Sequence, residues 1–348
     1  MATAERAFER NWNSVTTVDY HTGGEPFRII AKPPVEILGE TVAERRVYAI
    51  SDPAVDDLRR VLCYEPRGHA DMYGGFITPP DNDGAHFGVL FWHKDGFSTA
   101  CGHGTIALGV WAVDSGLVEA DPNGATDVVI DVPSGRVIAR VNSIDGQIES
   151  VDFVNVASYV IDANVAVATS RGELTVEVGF GGAIYAQLDV AQLGLTVEPE
   201  HAAELIAIGR EIKWLLNDSA QAEHPTDPRL SGIYGTILFE DLGDSEPGSP
   251  HQRNVTIFAD GELDRSPCGS GTSTRVASLW TSGRLSDVGV LTHDSIVGSR
   301  FAGRVRSRET VAGFEGVTNQ VSGMAYRVGE STFTVDARDP LVPGFVLR

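Results

Sequence analysis

The chain has 348 residues, 42% of them apolar, and a formal net charge of −21. A field of this sign opposes the phosphates of nucleic acids and anionic membrane surfaces, so we expect neither as a partner. No apolar stretch approaches the roughly 18 residues that span a bilayer, and residues 1–14 lack the apolar core of a secretory signal. With three cysteines, we expect a cytoplasmic protein without a disulfide framework.

Runs of β-branched and aromatic residues predict a series of strands in the first half of the chain. These runs cover residues 15–20, 27–32, 86–93, 127–132 and 136–141. Residues 104–116 place apolar side chains at helical spacing and end at a glycine, which predicts a capped helix.

The second half repeats this order of elements. A strand, a glycine turn and a second strand are predicted over 172–190, and an amphipathic helix over 202–218. Two strands and a further helix are predicted after them, over 233–241, 253–260 and 271–283. The polar stretch 241–252 is predicted to be an exposed loop. A composition change near 156–165 suggests a junction between two similar α+β halves, with a cleft between them.

One five-residue motif occurs in both halves. Cys101-Gly102-His103-Gly104-Thr105 is matched by Cys268-Gly269-Ser270-Gly271-Thr272, and Ser115-Gly116 and Ser282-Gly283 follow at the same distance. Each motif opens a predicted helix, where peptide dipoles and unpaired N–H groups favour a thiolate and can hold a carboxylate.

Two such thiols on opposite sides of a cleft form a symmetric acid/base pair. One takes the α-proton of a carbon acid and the other returns a proton to the opposite face, with no metal or cofactor implied. His103 is close enough to Cys101 to contribute a substrate contact. Asp264 offers a carboxylate to a substrate ammonium, although a surface or helix-capping role is its alternative.

The residues that carry the chemistry resemble those of the proline racemase family. The resemblance runs nearly end to end and covers Asp19–Pro26, Glu65–Gly74, Cys101–Thr105, Gly181-Gly182, Asp264–Gly269, Asp339–Leu341 and Gly344-Phe345. It implies an α+β fold like diaminopimelate epimerase, with two pseudo-symmetric α/β domains and the active site in the interdomain cleft. The domains would cover 1–157 and 158–323, and strands of about 324–348 would return to the first.

The resemblance also implies a role for each motif residue. Cys101 and Cys268 would be the catalytic acid/base pair. The other expected contacts are the backbone N–H groups of Gly102, His103, Gly269 and Ser270 on the substrate carboxylate, His103 and Asp264 at the ring nitrogen, and Tyr73 and Phe258 in the pocket wall. Racemases of the family often carry phenylalanine in place of Tyr73, whose hydroxyl would meet a hydroxylated ring or point to solvent.

The sequence is compatible with two branches of the family. Ser98-Thr99, Ile233–Leu238 and Gly269–Gly271 resemble the trans-3-hydroxyproline dehydratases, which typically have threonine in place of Cys268. Because Cys268 makes exchange on two faces possible, we expect a racemase or 2-epimerase of hydroxyproline or proline, with the dehydratase as the alternative. A thiol-redox protein and an amino-acid-binding protein are alternatives of other classes. We expect a small-molecule substrate, and a homodimer is left open.

Three other features receive plainer interpretations. Cys63 lies in an apolar run and is predicted to pack in the core. Gly181-Gly182 lacks the spacing of a nucleotide-binding loop and predicts a turn beside the substrate. The histidines that could suggest zinc lack paired ligand spacing, and they are His21, His69, His86 and His93.

Overall fold

The computed structural model describes residues 11–347, so most of the segment 1–14 lies outside the described residues. The described part holds five α-helices, eighteen β-strands and four short 3₁₀ helices. The helices are α1 Val42–Ser51, α2 Pro53–Cys63, α3 Gly102–Asp114, α4 Ala202–Leu216 and α5 Gly269–Thr281. Within residues 11–347, none of them combines the length and apolarity that crossing a bilayer requires.

The strands fall into two series along the chain. The first series is β1 Ser14–Thr22, β2 Glu25–Ile30, β3 Gly74–Thr78, β4 Phe87–His93, β5 Gly96–Phe97, β6 Ala125–Val132, β7 Gly135–Ile144 and β8 Gln147–Val154. The second series is β9 Ser158–Thr169, β10 Gly172–Phe180, β11 Ile184–Asp189, β12 Ile233–Glu246, β13 Ser249–Phe258, β14 Glu262–Leu263, β15 Leu291–Ser295, β16 Arg300–Val311, β17 Phe314–Gly323 and β18 Ala325–Thr334.

The predicted strands and helices are confirmed, but the exposed loop over 241–252 is wrong. There β12 and β13 continue as a hairpin, in which Asp241 pairs with Gln252 and Glu246 with Ser249. These residues are polar because the end of the hairpin is exposed to solvent. Exposed strands and exposed loops can share such a composition, so it did not distinguish between them.

Helices α1 and α2 were not predicted, although their start signals are present in the sequence. Thr41 caps α1 in a capping box with Glu44. Asp52 caps α2 by accepting from two backbone N–H groups, and Pro53 occupies the first helical position. Cys63, at the end of α2, is fully buried as predicted, and its thiol donates to the Met72 carbonyl at 3.3 Å.

In each half the sheet curves around one central helix. In the first half, neighbouring strands run β18–β1–β2–β3–β4–β6–β7–β8, and α3 packs against most of them. In the second half, β17–β9–β10–β11–β12–β13–β15–β16 closes back on β17 around α5. Because sheet surrounds α3, residues 102–112 are all buried, which explains why this helix is apolar on every side.

Strand β17 belongs to both halves, because it pairs with β8 and also with β9. The division into 1–157 and 158–323 therefore stays a prediction. Strand β18 pairs along its length with β1 at the start of the chain.

Gly109 lies where α3 meets β7, and we expect its replacement by alanine to destabilise the protein. A Cβ at Gly109 would lie 2.7 Å from the Cβ of Ala139. The expected loss is about 1–3 kcal/mol from overpacking, which outweighs a gain of about 1 kcal/mol in helix propensity. Urea unfolding followed by circular dichroism measures the change in the free energy of unfolding.

Gly329→Ala in β18 is the control, because a Cβ there meets nothing within 4 Å. We expect its free energy of unfolding to stay within about 0.5 kcal/mol of the original protein. A Gly109→Ala protein that is as stable as this control would show that α3 and β7 are not in tight contact.

Candidate active site

The N-terminal ends of α3 and α5 meet in the centre of the molecule. Cys101 is the N-cap residue of α3 and Cys268 that of α5. A Cβ on Gly102 would lie 2.5 Å from the Cα of Gly269, and a Cβ on Gly269 equally close to Gly102. Only glycine fits at either position, and the positive ends of two helix dipoles converge on one space.

That space is a small chamber with an empty volume of about 250 Å³. The chamber is lined by Tyr73, Ala100, Cys101, Gly102, His103, Tyr185, Tyr234, Phe258, Asp264, Cys268 and Ser270. The structure thus brings together every predicted site residue except Gly269, which lies behind the wall against Gly102.

Cys101 is buried at the start of α3, with its sulfur held by the helix itself. The Gly104 N–H donates to Sγ at 3.2 Å, and the His103 ring nitrogens lie 3.5 and 3.6 Å from it. Burial raises the pKa of the Cys101 thiol well above its usual value, the charges of Asp264 and Cys268 add to this, and the Gly104 N–H opposes it.

Cys268 has a backbone conformation that side-chain-bearing residues rarely adopt, with φ 61° and ψ 106°. Its N–H donates to Ser266 Oγ at 3.0 Å, and Tyr185 Oη lies 3.9 Å from Sγ. Burial raises the pKa of the Cys268 thiol to about 12, and Asp264 adds to the increase. Burial therefore favours the protonated form of both cysteines, and the residue that carries the second thiol has a strained backbone.

Asp264 is the acidic group of the chamber. Burial raises its pKa to about 6, and hydrogen bonds from Ser266 N at 2.8 Å and Ser266 Oγ at 2.7 Å oppose the rise. Asp264 is 3% exposed, so the surface-charge alternative is wrong. Because burial opposes its ionised form, a cationic group beside Asp264 would stabilise that form.

His103 is neutral in this environment. Burial lowers the pKa of its imidazole to about 3, and the ring hydrogen-bonds to the Pro26 carbonyl. Thr22 Oγ1 donates to the His103 backbone carbonyl at 2.9 Å, which anchors the first turn of α3 to β1. His103 is thus a fixed neutral contact on the Cys101 side.

Aromatic side chains form the wall opposite the helix ends. The Tyr73 hydroxyl is hydrogen-bonded to Ser98 Oγ at 2.5 Å and to Tyr234 Oη at 3.0 Å. Tyr73 is 2% exposed, so the alternative in which its hydroxyl points to solvent is wrong. The Phe258 ring lies 5.8 Å from the rings of both Tyr73 and Tyr234.

Tyr185 and Tyr234 line the chamber, and sequence reasoning missed both. They stand near the starts of β11 and β12, which pair in parallel from Ile184 and Ile233 onward. Burial raises the pKa of each well above its usual value, so both hydroxyls keep their protons. The sequence signal available for each was a tyrosine within an otherwise apolar predicted strand. Tyr185 also follows the Gly181-Gly182 turn closely.

The Gly181-Gly182 turn lies against the site, as predicted. A Cβ on Gly181 would lie 2.6 Å from the Ser270 carbonyl oxygen, and one on Gly182 would lie 2.8 Å from the Cβ of Ala100. Thr99 Oγ1 donates to the Gly182 carbonyl at 2.9 Å. The two glycines let this turn approach both helix starts.

One cluster behind the aromatic wall has the side-chain types of a metal site. Potential ligand atoms of His93, Asp95 and Glu262 lie within 4.8 Å of one another. The Lys94 ammonium, however, lies 2.8 Å from Asp95 and 3.9 Å from Glu262, and His93 Nδ1 already accepts from the Asp95 N–H. A lysine thus supplies the positive charge of this cluster. The expectation of no metal or cofactor stays a prediction.

Glu262 gives a pH-dependent stability that can be measured. Burial raises the pKa of its carboxyl well above the usual value, Asp95 and Asp71 add to this, and Lys94 opposes it. The folded chain holds this proton while the unfolded chain releases it above about pH 4.5, so stability falls as pH rises from there. Glu262→Gln lacks that loss, and we expect its free energy of unfolding, relative to that of the original protein, to be higher at about pH 8 than at about pH 4.5.

Urea unfolding at both pH values measures this difference in free energy of unfolding. The control is Glu315→Gln, because Glu315 is exposed in β17. We expect the control to differ from the original protein by the same amount at both pH values. A Glu262→Gln curve parallel to that of the original protein would mean that Glu262 is ionised in the fold.

Comparison with known proteins agrees with this architecture. The sequence model of the family described as proline racemase matches residues 17–346. A trans-3-hydroxy-L-proline dehydratase of Bacillus cereus is 42% identical over 332 residues, which are 95% of this chain and 98% of the relative. A 3-hydroxyproline 2-epimerase of Burkholderia multivorans is 43% identical over 338 residues, 96% of this chain and 98% of the relative.

Solved structures show the same fold. A hydroxyproline epimerase from Agrobacterium vitis, with bound trans-4-hydroxy-L-proline, has a TM-score of 0.88 at 30% identity and covers 97% of each chain. A Bacillus anthracis protein of the PhzF family has a TM-score of 0.57 at 11% identity, covering 93% of this chain and 100% of its own, and shares the fold alone. The expected α+β fold of diaminopimelate epimerase type is confirmed.

Proposed function

Because the chain belongs to the proline racemase family, we propose that it is a cofactor-independent 2-epimerase that inverts the α-carbon of a hydroxyproline. The observation that carries the proposal is the pair of buried thiols, Cys101 and Cys268, at two helix N-termini in contact. Relatives at 42% and 43% identity are both named for 3-hydroxyproline, which favours a hydroxyl on C3 over C4 or a bare proline ring.

The helix starts would bind the substrate carboxylate. The first turns of α3 and α5 have backbone N–H groups without helical partners, and the residues proposed to use them are Gly102, His103 and Ser270, which line the chamber, and Gly269, which lies just behind its wall. The ring ammonium would donate to ionised Asp264, and a ring nitrogen of neutral His103 would accept from the same ammonium. These contacts would leave the α-carbon between the two sulfurs.

Inversion then consists of two proton transfers. A thiolate on one cysteine takes the α-proton, and the electron pair of the broken C–H bond moves into the carboxylate to give an enediolate. The thiol of the other cysteine donates its proton to the opposite face and is left as the thiolate. The substrate ammonium and the two helix ends supply the positive potential that burial otherwise denies to a thiolate and to the enediolate.

The second candidate is dehydration of trans-3-hydroxyproline. It needs one base for the α-proton, after which the C3–O bond breaks and the hydroxyl leaves as water. The buried hydroxyls of Ser98, Tyr73 and Tyr234 support this candidate, because they form a connected set that could protonate the leaving oxygen. The similarity to named relatives supports epimerase and dehydratase equally.

Exchange of the α-proton with solvent tests the proposal. Each 3-hydroxyproline and 4-hydroxyproline isomer is incubated with the protein in deuterated water and analysed by chiral chromatography with mass spectrometry. We expect α-deuterium in an isomer whose C2 is inverted. A pyrroline-2-carboxylate product would instead select the dehydratase, and no deuterium in any isomer would leave only the redox or binding-only classes.

Substitution of the cysteines tests the two-thiol assignment. We expect Cys101→Ser and Cys268→Ser each to lower the inversion rate by about 10²–10⁴-fold, because each removes one proton-transfer group. Cys63→Ser, outside the chamber, is the control and should keep the rate. A Cys268→Thr protein that inverts C2 at the full rate would refute the role of Cys268.

A further inference from the structure

A second, larger recess adjoins the catalytic chamber. It has an empty volume of about 730 Å³ and is lined by Arg46, His93, Asp95, Lys213, Trp214 and Asp260, among others. Tyr234 lines both this recess and the chamber. The hydrogen-bonded hydroxyls of Ser98, Tyr73 and Tyr234 therefore separate the two spaces.

Two cations of the recess have no carboxylate partner. Within residues 11–347, no carboxylate oxygen lies within 4.0 Å of the charged nitrogens of Arg46 or Lys213. Arg46 donates to two backbone carbonyls, those of Phe97 at 2.8 Å and Arg229 at 3.0 Å. Lys213 is 7% exposed, and its Nζ lies 3.9 Å from the centre of the Trp214 ring.

The carboxylates of the same recess are already paired. Asp260 accepts from Arg210 Nε at 2.5 Å and from Trp214 Nε1 at 2.8 Å. Asp95 accepts from Lys94 Nζ at 2.8 Å and from the Asp260 N–H at 2.8 Å. Asp260 and Asp95 attract Lys213 only at longer range, and burial lowers the pKa of Lys213 and of Arg46. The unmatched charge of the recess is positive.

We propose that this recess is an antechamber that binds the carboxylate of a small anion on its way to the two cysteines, with Arg46 and Lys213 as its binding groups. In a chain with a net charge of −21, the overall field repels anions. Buried Lys213 and partly buried Arg46, beside the chamber, offset that repulsion locally. The substrate carboxylate is the natural ligand if the proposed function is right, and to that extent the inference rests on it.

Alkylation of the cysteines tests the antechamber without using enzyme activity. Iodoacetate and iodoacetamide react with the same thiols and differ in charge, so their rates separate anion delivery from thiol reactivity. We expect Lys213→Met to lower the rate constant for modification of Cys101 and Cys268 by iodoacetate about 3–10-fold at low salt. The iodoacetamide rate should change less than about two-fold, and about 0.5 M NaCl should shrink the iodoacetate effect.

Peptide mapping by mass spectrometry measures both rates at each cysteine. Lys213→Arg keeps the charge and should keep the iodoacetate rate, and Lys32→Met removes an exposed lysine and should change neither rate. An equal decrease in the alkylation rate with both reagents would show that Lys213 has a structural role only. No loss with either would also overturn the antechamber. Absence of α-deuterium after incubation of the hydroxyproline isomers in deuterated water would refute the proposed function. It would not change the conclusion from the alkylation rates.

Discussion

The contact between two helix starts determines the rest of this structure. Gly102 and Gly269 touch through their backbones, so the N-terminal ends of α3 and α5 point into one closed space. To hold two helix ends in this position, the sheet of each half curves around its helix and buries it. The apolar character of α3 on all sides follows from that requirement.

Burial and charge oppose each other in the chamber. Removal of water raises the pKa of both thiols and of Asp264, and it lowers the pKa of His103. Burial therefore favours the neutral form of the titratable groups that line the chamber. In the proposed binding mode, a zwitterionic ligand would bring one charge of each sign, with the helix ends for its carboxylate and Asp264 for its cation. The charges of such a ligand would then offset part of the cost of burial.

The sequence was most informative where chemistry needs particular residues at particular spacing. The two cysteine motifs predicted both helix starts and the part of the lining that they carry, and the family resemblance added Tyr73, Phe258 and Asp264. Tyr185 and Tyr234 escaped because their positions depend on the parallel pairing of β11 with β12, a long-range register that no local pattern records. The hairpin of β12 and β13 was mistaken for a loop because exposed strands and loops share a polar composition. Arg46 and Lys213 also gave no signal, since a missing ion pair is a property of the folded neighbourhood.

Strand β17 has a mechanical consequence for access to the chamber. Residues 320–323 of β17 pair with β8 and residues 316–317 with β9, both along the edge opposite β16, so one strand couples the two curved sheets. Any movement that separates the two halves must therefore keep these backbone hydrogen bonds or break them. Strand β17 thus restrains how far the helix starts that carry Cys101 and Cys268 can move apart.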